Sequence, residues 1–335
     1  MWVLFFYSLF HLYYASSYAY NSFYNHWTCI GLKENIDTTK PYSINVGDLP
    51  LVLWKDKDQW ISTVNICKHM GSSLESGTLK EGCIKCPYHG LEYNYNDRVG
   101  ETVEHEGKLF WAYKPIHKKP YSVPFYNNPD YATSTIEIDM DASLTDSAYN
   151  TMDVRHPEYV HNKFVGFGNS IPPKNIKYYK YTDRSRVGLS FDYISNKVMQ
   201  TINDNVKVTH NFHMFVYPTF SWSRVTFDKK HLIIGVNLLP LGNKKTRWYI
   251  TLCHNYYTSN IGKKFVKFLA TTILNQDYEQ MKNQCYENKL KKQILFNYIF
   301  KDEEVLLHLH EIFKGYYYPN IDCAFDLYQD YTKTK

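Results

Sequence analysis

CKHMGSSLESGTLKEGCIKCPYHG, residues 67–90, decides the reading of the chain. Cys67-x-His69 and Cys86-x-x-His89 each offer one thiolate and one imidazole, carried on two separate loops. A two-iron cluster whose irons are ligated differently, one by two Cys and the other by two His, needs that division. Zinc also takes four such ligands, and Cys83-x-x-Cys86 alone would pass for half of a zinc ribbon. The zinc reading leaves a fifth ligand over. It also gives no reason for Gly71 after the first loop, or for Pro87, Tyr88 and Gly90 around the second. Glycines at those places let main-chain amides approach the cluster sulfurs.

Working outward, residues 23–118 carry short apolar or alternating runs such as LPLVLWKD, QWISTVNI and KLFWAYKP, separated by Gly, Asp and Lys-rich turns. They predict a small antiparallel β domain of barrel type with both ligand loops at one tip. Residues 119–134 hold Pro120, Pro124 and Pro129 with little periodicity and read as a linker. Beyond it, STIEIDMDAS, VGLSFDYI, VKVTHNFHMFVYPTFSWSRVTFD, HLIIGVNLLPL and TRWYITLCHNYYT read as strands.

A second constellation follows the linker. NTMDVRHPEYVH, residues 150–161, sets His156 and His161 five residues apart, with Asp153 before them. Two imidazoles and one carboxylate on one face of a metal leave the opposite positions open, the logic of a facial triad. The carboxylate need not be local. In IGKKFVKFLATTILNQDYEQMKNQ, residues 261–284, helical periodicity puts Asp277 on the apolar face with Ala270, Ile273, Leu274 and Met281. A carboxylate buried there needs a metal or a cationic partner. Glu279 lies well round the helix.

With both constellations in hand, the chain resembles the Rieske non-haem iron oxygenases. Asn150, Asp153, His156 and His161 match that family's Asn-x-x-Asp-x-x-His-x4-His pattern, and the segment looks like that of vanillate-demethylase-type enzymes. Asp277 with Gln284 downstream is similar to the family's late Asp and Gln. The resemblance implies a [2Fe-2S] cluster on Cys67, His69, Cys86 and His89, and a mononuclear Fe(II) on His156, His161 and Asp277. It implies that Asp153 bridges an iron-ligating His to a cluster-ligating His across a subunit boundary in a head-to-tail homotrimer, and that Asn150 lines the iron pocket. The fold expected is α+β: a Rieske domain over residues 23–118, then a helix-grip catalytic domain over 135–335, an antiparallel sheet over a long helix. The function expected is a terminal oxygenase component that uses O2 on a hydrophobic or aromatic organic substrate, with monooxygenation favoured. No Gly-x-Gly-x-x-Gly follows a strand. A ferredoxin or flavin reductase is therefore the expected electron donor.

Two other readings stay open: an electron-transfer protein without oxygenase turnover, and a hydrophobic-ligand binding protein that keeps the helix-grip cavity. Phe212, Phe215, Tyr217, Phe220 and Trp222 either line such a cavity or pack the sheet. His210, His213 and His254 read as structural residues of strands. DEEVLLHLHEIFKG, residues 302–315, reads as a helix capped by Asp302 and Gly315, with His308 and His310 on its surface.

Composition bounds the rest. The 335 residues, 44% hydrophobic and 21% charged, suit a two-domain globular chain. The net charge of +5 comes from scattered Lys and Arg, without the dense runs that nucleic-acid binding uses. Seven cysteines at irregular spacing form no disulfide framework, which points to a reducing, intracellular compartment. Residues 1–22 are hydrophobic and uncharged, but Ser8 and His11 interrupt the run and no basic n-region precedes it. Membrane association through residues 1–20 and a packed or cleaved segment are the alternatives there.

Overall fold

The computed structural model describes residues 23–161, 173–181, 185–194, 208–284 and 304–314, so residues 1–22, Cys285, Asp302, Gly315 and Cys323 lie outside it. These residues fall into two units, 23–120 with 239–243 and 121–238 with 244–314.

In the first unit the strands pair as three small antiparallel sheets. One joins β1 (Thr28–Leu32), β9 (Lys108–Ala112) and β8 (Glu101–His105). The second joins β2 (Tyr42–Val46), β3 (Leu49–Asp56) and β4 (Gln59–Val64), and the third β5 (Thr78–Lys80), β6 (Cys83–Lys85) and β7 (Glu92–Tyr93). Val52, Trp54, Ile61, Leu74, Ile84 and Tyr93 form one buried cluster with Cys67 and Cys86. The two thiols therefore sit at the end of the core, where the apolar faces of two sheets meet.

The second unit is built on a seven-stranded antiparallel sheet in the order β10 (Ala132–Met140), β16 (Thr246–His254), β15 (Lys230–Pro240), β14 (Phe220–Phe227), β13 (Val208–Val216), β12 (Arg186–Ile194) and β11 (Lys174–Lys180). β11 has no counterpart among the strands expected from sequence: its alternation is mostly polar on both faces, as an edge strand allows. β10 begins at Ala132, inside the stretch read as a linker. Val123, from the same stretch, is buried against Val216, Phe220, Ile233 and Cys253. Its proline-rich sequence hid that anchoring.

Four helices among the described residues accompany the sheet: α1 (Leu144–Met152), α2 (His156–Val160), α3 (Asn260–Asn283) and α4 (Glu304–Lys314). α1 lies on β13, α4 on β12 and α1, and α3 on β10 and α2. Ser143 caps α1 by accepting the Asp146 N–H at 3.1 Å. The Trp248 indole donates to Ser147 Oγ at 3.0 Å and ties α1 to β16. At the far side Tyr278 donates to Asp141 Oδ2 at 2.9 Å, fixing α3 beside the end of β10. Together these bonds hold α1 and α3, which carry the residues of the second constellation, at set heights over the sheet.

Candidate metal centres

The two loops of the first constellation share one construction. The Gly71 N–H donates to the Cys67 carbonyl at 2.8 Å and the Gly90 N–H to the Cys86 carbonyl at 3.1 Å, so each loop closes on its own cysteine. The Cys67 and Cys86 N–H groups donate to the Ser72 and Leu91 carbonyls at 2.7 and 2.8 Å. Gly71 and Gly90 have φ of +72° and +74°. A Cβ would meet nothing within 4 Å at Gly71 and only the Lys85 side chain, at 3.9 Å, at Gly90. The protein chain itself asks for glycine here through the left-handed turn, and the approach of main-chain amides to a cluster remains the expectation from sequence.

Within this frame the thiols point inward and the imidazoles outward. Cys67 and Cys86 are buried, whereas His69 and His89 are exposed with ring centroids 4.7 Å apart. The Tyr93 hydroxyl donates to Cys67 Sγ at 3.3 Å and accepts the Lys68 N–H at 2.7 Å. Burial by itself would push the Cys67 thiol up; hydrogen bonds from Tyr93, the His69 N–H, Cys86 and the Met70 N–H outweigh it and bring the thiol down. Paired soft donors at one end and paired imidazoles at the other fit an asymmetrically ligated [2Fe-2S] cluster. Cys83 stands apart on β6, its thiol pushed up by burial and then by Glu92 and Asp56.

In the second constellation the chain breaks between α1 and α2 at Asp153–Arg155, so His156 opens the short helix and His161 follows its last residue. Asp153 Oδ1 accepts the Arg155 and His156 N–H groups at 2.8 and 3.2 Å, capping α2, while Oδ2 lies 3.7 Å from His156 Nδ1. His156 Nε2 and His161 Nε2 each stand 3.4 Å from Asp277 Oδ1. Ligand atoms of these three residues all lie within 4.8 Å of one another. Asp277 is 5% exposed on the inner face of α3, whereas Glu279 is exposed.

Electrostatics match this geometry. Burial would push the Asp277 carboxyl up, but hydrogen bonds from His156 and His161 overcome it and hold the carboxyl well below the usual range. For His156, burial works downward, and the Asp277 and Asp153 carboxylates reverse it to a net rise. Gln276 Oε1 lies 3.0 Å from His161 Nδ1. An amide oxygen only accepts, so Nδ1 is a protonated nitrogen, and a metal taking the place of the proton shared between Nε2 and Asp277 would meet the Nε2 lone pair. Two neutral nitrogens and one carboxylate oxygen converging on a point fit a divalent iron. Asn150 Nδ2 is 3.5 Å from Asp277 Oδ1.

Gln276, adjacent to the expected ligand, and Tyr93, four residues after His89, were not singled out from sequence. Gln284, matched there to the family's downstream Gln, is the exposed C-cap of α3. His213 lies on the inner face of the sheet, between the Thr151 carbonyl and His156, and burial pushes it down to about 4. His210 pairs with Asp192 at 2.6 Å, and His254 is buried with Nδ1 on the Tyr256 carbonyl. His310 is no plain surface residue, because its Nδ1 meets the Tyr149 hydroxyl at 3.1 Å and joins α4 to α1. Of the aromatics named above, Phe215, Tyr217 and Phe220 are buried in packing, and the Phe212 ring lies tilted at 40° to that of Trp222, centroids 5.0 Å apart. Phe212 also lines a groove of about 770 Å³ with Tyr179, Arg224 and His210; the triad does not line it.

Comparison with known proteins agrees with this reading. The Rieske [2Fe-2S] domain model matches residues 26–110. Pheophorbide a oxygenase, chloroplastic, of Oryza sativa subsp. japonica is 22% identical over 277 residues, 70% of this chain and 50% of that protein. Dicamba O-demethylase, oxygenase component, of Stenotrophomonas maltophilia is 28% identical over 160 residues, 41% of this chain and 47% of that protein. The chain thus spans about half the length of the curated relatives it matches. Among solved structures, dicamba monooxygenase bound to dicamba superposes with a TM-score of 0.70 at 17% identity, covering 87% of this chain and 97% of that one. Pseudomonas putida CBB5 NdmA with caffeine gives 0.71 at 13% identity, covering 88% and 91%. The chain carries a Rieske [2Fe-2S] domain and is a relative, in sequence and fold, of the oxygenase components of Rieske non-haem iron systems.

Proposed function

We propose that the protein is the terminal oxygenase component of such a system, acting on a hydrophobic or aromatic organic substrate. The observation that carries this is the pairing, in one chain, of the Cys67, His69, Cys86 and His89 loops with the convergence of His156, His161 and Asp277 within 4.8 Å. In this reading residues 23–118 form the electron-transfer domain and residues 135–335 the catalytic domain. When bound, a [2Fe-2S] cluster relays single electrons and a ferrous ion activates dioxygen for transfer to carbon.

The chain's own residues do the rest. Cys67 and Cys86 would hold one iron in the dry end of the loops, and His69 and His89 the other at the exposed edge, where a ferredoxin or flavin reductase can approach. His156, His161 and Asp277 would hold the mononuclear Fe(II), with Gln276 fixing the His161 tautomer. Asn150 would orient the carboxylate from its side of α1. Asp153 keeps His156 in register by capping α2, and its second oxygen is left facing the ring, as an electron bridge requires. The family resemblance extends that bridge to His69 or His89 of a neighbouring chain in a homotrimer.

The relatives' names, pheophorbide a, 3-ketosteroid and dicamba among them, favour an apolar ring system as substrate and monooxygenation as outcome. Among the described residues no helix is long and apolar enough to cross a membrane; membrane contact through residues 1–20 and an intracellular setting remain part of the proposal. The test is oxygen uptake with a surrogate ferredoxin and reductase over a panel of apolar ring compounds. Product formation that disappears in His156→Ala, with the cluster still reducible, supports the proposal. A protein loaded at both metal centres that reduces but turns over nothing would favour the electron-transfer reading.

A further inference from the structure

α3 is apolar on two faces. Val266, Asp277 and Met281 are buried against the rest of the unit, as a helix on a sheet requires. The opposite side of its first half should be polar, and it is not: Ile261 is 83% exposed, Phe265 50% and Phe268 64%. Spaced i, i+4 and i+7, they form one stripe, roughly 10 Å long at helical rise. Tyr257, 46% exposed just before the helix, sets its ring edge-on to Phe265 with centroids 6.1 Å apart and extends the stripe.

The junction is tightly packed. A Cβ at Gly262 would clash with the Tyr257 carbonyl oxygen, so only glycine lets the first turn pack on this segment. Ser259 caps the same turn by accepting the Gly262 N–H at 3.1 Å.

Charge around the stripe has one sign along the helix. Lys264 borders it on one side with Lys267 beyond, Lys263 lies on the opposite face towards His254, and α3 contains no Asp or Glu before the buried Asp277. Asn255 ties the β14–β15 turn to the lead-in of α3, accepting the His231 N–H at 2.7 Å and donating to the Lys229 carbonyl at 2.9 Å. That turn adds Lys229, with Asp228 as the acidic residue beside it.

We propose that the N-terminal half of α3 is a membrane-surface contact that seats its aromatic stripe in the headgroup layer of an anionic lipid bilayer. A rigid helix lying flat, with two Phe, one Ile and one Tyr inward and lysines at headgroup level, has the composition of an interfacial anchor. Four side chains are far fewer than the roughly 20 residues a side of a stable protein interface. Self-association across a twofold axis would set lysine against lysine, and cover by a neighbouring chain of the proposed trimer is the outcome in which the Phe variant changes its oligomeric state. Membrane contact here is independent of the oxygenase reading.

The test is co-sedimentation of the full-length protein with phosphatidylcholine vesicles, with and without phosphatidylserine. Wild type, Phe265→Glu/Phe268→Glu and Lys264→Gln/Lys267→Gln are compared, with near-ultraviolet circular dichroism and size-exclusion chromatography of each. Residues 1–22 are the same in all three, so their contribution cancels. The expected result is binding to the phosphatidylserine vesicles, lost at least about tenfold in the Phe variant and weakened about fivefold per lysine in the Lys variant. Equal binding by all three proteins, no binding by wild type, or a Phe variant whose oligomeric state changes while vesicle binding does not, would overturn it.

Discussion

The hydroxyl of Tyr93 points at the sulfur of Cys67 from 3.3 Å, and the Lys68 N–H holds that hydroxyl in place from 2.7 Å. A hydrogen bond to a ligand sulfur stabilises the reduced, more negative cluster and raises its potential. Tyr93→Phe removes the bond and leaves the ring packed. The expected outcome is a fall in reduction potential on the order of 50 mV, with cluster content unchanged, read by redox titration of the electron paramagnetic resonance signal.

Gln276 holds His161 from the side away from the triad. Gln276→Leu keeps volume and removes the acceptor, so the ring loses both its tautomer preference and its orientation. Ferrous iron affinity should weaken about 10- to 100-fold while the cluster loads normally. Equilibrium dialysis with Fe(II) under anaerobic conditions reads the change. Affinity equal to wild type would leave Gln276 without the orienting role.

Much of this centre could be read before the structure, for a physical reason. Metal-ligating side chains are few residue types at tight spacings, so Cys67, His69, Cys86, His89, His156 and His161 stand out locally as candidates, and Asp277 stands out because a carboxylate on an apolar helical face is anomalous. Gln276 and Tyr93 are ordinary residues in ordinary places until their partners are known. Their partners, His161 and Cys67, lie far away in sequence and meet them only through packing. Asp153 shows a different gap: one spacing serves both a cap and a second contact, and periodicity does not separate them. β11 and the anchored Val123 were hidden because an edge strand and a proline-rich segment carry little hydrophobic pattern.

His26, 8% exposed, is pushed down to about 4 by burial and then by His117. Its folded pKa lies below its ordinary value, so between the two the unfolded chain binds the extra proton. The stabilisation is therefore complete above pH 6.5 and is lost as pH falls towards 4, about 3 kcal/mol in all. Thermal melts at pH 7 and pH 5 should show a drop in wild type that is smaller in His26→Asn, where the carboxylates titrate equally and the imidazole is gone. An equal drop in both proteins would remove His26 as the cause.

The most direct test of two metal centres in one chain is iron and acid-labile sulfide analysis with low-temperature electron paramagnetic resonance on anaerobic, dithionite-reduced protein. The expected result is a Rieske-type signal with about three irons and two sulfides per chain, and loss of about one iron, with the signal kept, in Asp277→Ala. Zinc in place of iron, or two irons with no uptake of added Fe(II), would contradict it.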